Sequence, residues 1–123
     1  WRILVADDNA DSASSSAALL SLLGHEVRTA SDGLLALQAA AEFRPDVLLL
    51  DISMPGLNGY EVSRRIRREP WGRSMTIVAL TGYGRPEDRR LALEAGCDAH
   101  AVKPVDFPAL VEMLAQGRAA RAS

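Results

Sequence analysis

The sequence predicts an α/β fold, a doubly wound sheet of five mostly parallel strands with five helices, and three observations carry that prediction. Apolar runs of four or five residues alternate with helical patterns five times along the chain, which is the rhythm of βα units. The run Val47-Leu48-Leu49-Leu50 shows no polar alternation, so it is buried on both faces and central in the sheet. Capping and turn residues stand between the runs, where helices must start and stop.

The first strand spans Arg2 to Ala6 and closes on Asp7 and Asp8. A helix from about Ser12 to Leu23 follows, with Asp11 or Ser12 as its cap, Leu19, Leu20, Leu22 and Leu23 among its apolar positions, and Gly24 past its end. The second strand is Glu26 to Ala30; its helix, Gly33 to Glu42, follows Ser31 and Asp32 and stops before Pro45. The third strand, Val47 to Leu50, closes on Asp51, and Gly59 to Arg68 forms the third helix. The fourth strand runs from Thr76 to Leu80. Pro86 in its first turn and Gly96 beyond Ala95 bracket the fourth helix. The fifth strand is Ala99 to Val102 and the last helix Phe107 to Ala115, with Gln116 to Ser123 read as helix end and tail.

A chain of 123 residues, 48% hydrophobic and 24% charged, builds one domain around one core, residues 1–123. Fourteen basic and sixteen acidic residues leave a formal charge of -2, which offers no support for direct contact with nucleic acid or an anionic membrane. No apolar stretch approaches the roughly 20 residues of a membrane span, and Trp1-Arg2-Ile3 lacks the pattern of a signal peptide, so the domain is expected in the cytoplasm without membrane insertion. A single Cys97 excludes an internal disulfide, and its spacing from His25 and His100 does not suit zinc. The chain opens at Trp1 directly on its first strand, which reads as a domain excised from a longer protein.

Ligands of open α/β sheets bind outside the carboxyl ends of the strands. Asp7, Asp8, Asp51, Thr81 and Lys103 all fall at that edge. At about 4 Å and an effective dielectric near 20, each like-charged pair costs roughly 4 kcal/mol, so three clustered carboxylates call for a cation. Hard oxygen donors with room for water and a phosphate oxygen suit Mg2+, with Mn2+ as the other candidate. Asp51 is then a nucleophile toward phosphorus, giving an aspartyl phosphate. Asp8 and Asp51 would hold the ion, with Asp7 acting partly through water. Lys103 supplies counter-charge, Thr81 a hydroxyl donor, and Ser53 and Gly82 backbone N–H groups. Asp46 and Asp98, at the opposite edge, read as turn residues.

Four segments in this order resemble the receiver domain of bacterial two-component response regulators, from Arg2 to about Ala115: Ile3-Leu4-Val5-Ala6-Asp7-Asp8-Asn9, Leu50-Asp51-Ile52-Ser53-Met54-Pro55-Gly56-Leu57-Asn58-Gly59, Ala79-Leu80-Thr81-Gly82 and Val102-Lys103-Pro104. The resemblance implies a flavodoxin-like strand order 2-1-3-4-5. It also implies phosphorylation of Asp51 by a sensor histidine kinase or histidine phosphotransfer protein, Mg2+ on Asp8, Asp51 and the Ser53 carbonyl, and a cis peptide before Pro104 that would aim Lys103 at the site. The output implied is a change in the surface formed by the fourth helix, fifth strand and fifth helix. Such a domain is not an enzyme on an external substrate; it assists only its own phosphorylation and dephosphorylation.

His100 stands where this family often carries the Tyr or Phe that swings inward on activation, so it is expected to switch together with Thr81. Burial disfavours imidazolium, so an inward His100 would be neutral and low pH would oppose activation. Ser53 and Tyr83 flank the phosphoryl position and, by resemblance, modulate phosphate loss. Two rivals are weaker. A magnesium phosphatase or phosphotransferase with an aspartate nucleophile commonly carries an acid two residues after it, where Ser53 stands here. A receiver-like module that has lost phosphorylation would not keep every residue the chemistry needs. A flavin site fails because acids, rather than a phosphate-cradling loop, follow the first strand. Leu80-Thr81-Gly82-Tyr83-Gly84-Arg85-Pro86-Glu87-Asp88, with Val102-Lys103-Pro104-Val105-Asp106, resembles receivers fused to sensor kinases, which points to a hybrid histidine kinase as the parent.

Overall fold

The computed structural model describes residues 1–54, 57–82 and 85–122, and side chains as far as residue 116. Along the chain run β1 (Arg2–Ala6), α1 (Ala10–Leu22), β2 (Glu26–Ala30), α2 (Gly33–Phe43), β3 (Val47–Asp51), α3 (Gly59–Arg68), a 3-10 turn (Pro70–Gly72), β4 (Thr76–Thr81), α4 (Pro86–Glu94), β5 (Ala99–Val102) and α5 (Phe107–Ala122). All strand pairs are parallel, in the order β2-β1-β3-β4-β5, as expected from the sequence.

Side chains alternate between the two faces of each strand, so residue parity sorts the core into two layers. Leu4, Ala6, Leu48, Leu50, Ile77 and Ala79 pack under α2, α3 and α4. Ile3, Val5, Val47, Leu49, Val78 and Leu80 pack against Leu20 of α1 and Phe107, Leu110 and Leu114 of α5. Every residue of β3 is buried, which is why its sequence shows no polar alternation.

Two boundaries differ from expectation by two residues or more, and the others agree to within one. α1 begins at Ala10, capped by Asn9, whose side chain accepts a hydrogen bond from the Ser12 N–H. Asp11 therefore lies within the first turn, where its charge suits the positive end of the helix. α5 continues past Ala115 to Ala122, overturning the reading of Gln116 onward as a tail; Ala and Arg are strong helix formers and need no apolar stripe to stay helical. The 3-10 turn after α3 carried no periodic signal.

The far edge of the sheet is tied by Arg67. Its guanidinium donates to the carbonyls of Gly72, Arg73, Met75 and Gly96 and to the Asp98 carboxylate, the last at 2.7 Å. Asp98 also accepts the Ile77 N–H, and Asp46 accepts the Arg2 N–H, so both acids read as turn residues also anchor strands. Gly96 closes α4 at φ 94°, and a Cβ there would sit 2.7 Å from Arg67 Cγ, so both its backbone and its neighbour require glycine. No described helix is long and apolar enough to cross a membrane.

Candidate functional site

The third and fifth strands carry the centre of the site. Asp51 ends β3, is 6% exposed, and shares a face with Val47 and Leu49 by the two-residue strand period. Asp7 follows β1, where its N–H extends the ladder by donating to the Ala30 carbonyl; it is 2% exposed. Each acid makes the same local turn: Asn9 N–H donates to Asp7 Oδ1 and Ser53 N–H to Asp51 Oδ1, both at 3.0 Å. Their Oδ2 atoms are left to face a common partner.

That partner is Lys103, whose N–H continues the β4–β5 ladder to the Thr81 carbonyl. Lys103 Nζ donates to Asp51 Oδ2 at 2.9 Å and Asp7 Oδ2 at 3.4 Å. The Lys103–Pro104 peptide is cis, as the family resemblance implied. Burial pushes the Lys103 ammonium down, but the bond and charge of Asp51, then those of Asp7, hold it above the ordinary lysine value. Burial likewise raises Asp7, yet the Asn9 N–H, the Ser12 hydroxyl and Lys103 together hold its carboxyl below the usual range.

Asp8 is exposed, and carboxylate oxygens of Asp7, Asp8 and Asp51 all lie within 4.8 Å of one another. Three hard anionic oxygen donors, one of them facing solvent, fit a divalent cation that keeps some of its waters, so the donor set suits magnesium. Gly59 opens α3 so close behind Asp51 that a Cβ on it would lie 2.8 Å from the Asp51 carbonyl oxygen. Neither Gly59 nor Asn9 was singled out from the sequence as a site residue; the signal was available in Asn58-Gly59 and Asn9-Ala10-Asp11-Ser12, which are cap sequences.

Thr81 ends β4, 6% exposed, and pairs in register with Val102. His100, two residues earlier on β5, shares Thr81's face, and its Nε2 lies 2.9 Å from Thr81 Oγ1. The two residues expected to switch together are thus directly bonded. Ser53 is exposed beside Asp51, while the expectation for Tyr83 falls outside the described residues. A cleft of about 660 Å³ opens from Asp7 between α1 and the start of α5, lined by Asp7, Ser12, Ser16, Lys103, Pro104 and Phe107 among others.

The chain matches the family model described as the response regulator receiver domain over residues 3–115. It is 39% identical over 105 residues to the response regulator PleD of Caulobacter vibrioides, covering 85% of this chain and 23% of that protein, so it spans under a quarter of that relative's length. Among solved structures, the chemotaxis protein CheY4 of Vibrio cholerae superposes with TM-score 0.87 at 30% identity, covering 94% of this chain and 96% of that one. The receiver domain of the sensor histidine kinase PA1611 from Pseudomonas aeruginosa, solved with a magnesium ion coordinated in its active-site cleft, gives TM-score 0.84 at 34% identity, covering 94% of each chain.

Proposed function

The chain belongs to the response regulator receiver family, and on that premise we propose that Asp51 is its phosphoacceptor, served by Lys103, Thr81 and a magnesium ion. The observation that carries this reading is the Lys103 ammonium bonded to both buried acids beside a third, exposed one. Asp8 and Asp51 would hold the ion, with the Ser53 carbonyl as a third protein ligand and Asp7 acting through water. When bound, the ion supplies positive charge against the carboxylates and the incoming phosphoryl oxygens.

The donor is a phosphohistidine on a sensor kinase or phosphotransfer protein. An Asp51 oxygen forms the new O–P bond as the P–N bond breaks, and the leaving imidazole keeps the electron pair and takes a proton from solvent. Lys103, already on Asp51 Oδ2, stays with the acyl phosphate as a counter-charge, and the Thr81 hydroxyl donates to a phosphoryl oxygen. The cleft beside α1 is lined by Asp7 and Lys103, and Lys103 Nζ is in turn bonded to Asp51. Leu93, Val102 and Met113, exposed on α4, β5 and α5, form the surface that phosphorylation would alter for a partner or a fused domain. A receiver within a hybrid kinase, facing the cytoplasm, fits the likeness to the PA1611 receiver. Turnover of an external phosphoester is disfavoured because exposed Ser53, not an acid, follows two residues after Asp51.

The test is intact-mass labelling with acetyl phosphate and magnesium. The parent should gain one phosphoryl group and Asp51→Asn none; undiminished labelling of that variant would overturn the assignment.

A further inference from the structure

The Thr81 hydroxyl has one proton, and its contact with His100 limits where that proton can go. If Thr81 donates to Nε2, the proton is spent on the ring. A phosphoryl oxygen is only an acceptor, so Thr81 can serve it while still bonded to His100 only when Nε2 carries a proton and donates to Thr81 Oγ1. The neutral ring meets that condition in one of its two tautomers, whereas imidazolium meets it always.

We propose that His100 is a positioning residue for Thr81: by donating from Nε2 it turns the Thr81 proton toward the phosphoryl group, which couples phosphorylation of Asp51 to protonation of the ring. This deepens the phosphoacceptor reading and rests on it. Burial alone would favour the neutral ring and make acid oppose activation; the relay reverses that sign, because the phosphorylated state selects the donating ring. Among the described residues, the charged groups that line a hollow with His100 are Arg89 of α4 and Asp98 ahead of β5. From β4 the ring meets Thr81, and from α5 the hollow is lined by Met113, which carries no charge. Arg89 and Asp98 are of opposite sign, and Asp98 is engaged by Arg67. His100 and Thr81 lie on the sheet face away from Asp7 and Asp51, so the relay joins the site from the α4 side.

The experiment measures the affinity of the magnesium-loaded domain for trifluoroberyllate, a phosphoryl mimic, in the parent, His100→Gln and His100→Phe, from about pH 5.5 to 8, where an imidazole titrates. Gln keeps an N–H donor without titrating; Phe fills the space without donating. Effects of pH on the mimic and on the carboxylates are common to all three and cancel in ratios. The parent's affinity relative to His100→Gln should rise as pH falls, by about twofold for equally populated neutral tautomers, since only one of the two donates from Nε2 whereas imidazolium always does. His100→Phe should bind more weakly than His100→Gln throughout. A flat ratio, or a Phe variant equal to the Gln variant, overturns the role of His100 and leaves the phosphoacceptor reading standing. A parent that binds no mimic at any pH overturns that reading and this one with it.

Discussion

Lys103 sets the behaviour of the site at the scale of single residues. Its ammonium is held charged by Asp51 and Asp7, so its stabilising contribution is complete below the ordinary lysine value and is lost only as pH rises through its elevated folded value. Asp7 works in the opposite sense: its contribution is present above the ordinary carboxylate value of 3.8 and is lost as pH falls through its depressed folded value. Lys103→Met should therefore lower stability at neutral pH by roughly 1–3 kcal/mol, less than for a fully buried pair because the lysine is about a third exposed. The deficit should shrink as pH falls, because protonation of Asp7, which has lost its partner charge, removes the buried anion. Denaturant titrations at neutral and falling pH test this, and a deficit independent of pH would assign the loss to the lysine's methylene stem instead. Asp8 contributes repulsion and no bond to Lys103, so Asp8→Asn should raise the melting temperature of the metal-free domain while weakening magnesium binding. A calorimetric titration in which this variant binds magnesium as well as the parent would sink the ligand assignment.

Among the elements, α3 is tied to the segments that lead into β4 and β5 by Arg67, whose guanidinium reaches four carbonyls and one carboxylate. Arg67→Leu removes the guanidinium from those acceptors and leaves Asp98 with the Ile77 N–H but no counter-charge from Arg67, which should cost about 2–4 kcal/mol. Arg67→Lys should recover less than half, since an ammonium cannot reproduce the planar fork. Urea unfolding of both variants decides it, and a lysine variant as stable as the parent would reject the geometric argument. This anchor was illegible in the sequence because most of its acceptors are backbone carbonyls, which look alike at every residue. The five strands and the α3 boundaries were legible, since parity and capping leave marks in residue type. The start of α1 was not, because Asn9, Asp11 and Ser12 are all competent caps and only the fold selects Asn9.

The whole molecule brings the strand ends to one edge, which is why Asp7, Asp8, Asp51, Thr81 and Lys103 could be read together from the βα rhythm alone. How Asp7 and Asp8 divide their work, one buried on Lys103 and the other exposed, depends on side-chain direction after the strand ends and left no trace in sequence. Two-faced packing also predicts where phosphorylation is felt. Amide shifts on adding a phosphoryl mimic should concentrate in β4, α4 and β5 and leave β2 and α2 nearly unchanged, and Thr81→Ala should reduce those in α4 by at least about half. A Thr81→Ala response equal to the parent's would show that the signal leaves by another route. One further consequence belongs to synthesis. Lys103 reaches Asp7 across 96 positions of sequence, from the last strand to the first. As the chain leaves the ribosome, β1 and β3 are available to pair long before β5 emerges, and until then their acids have no ammonium between them. The proposed phosphoacceptor site is completed only when the final strand is made, so a chain that ends before β5 carries Asp51 without the lysine that pairs with it.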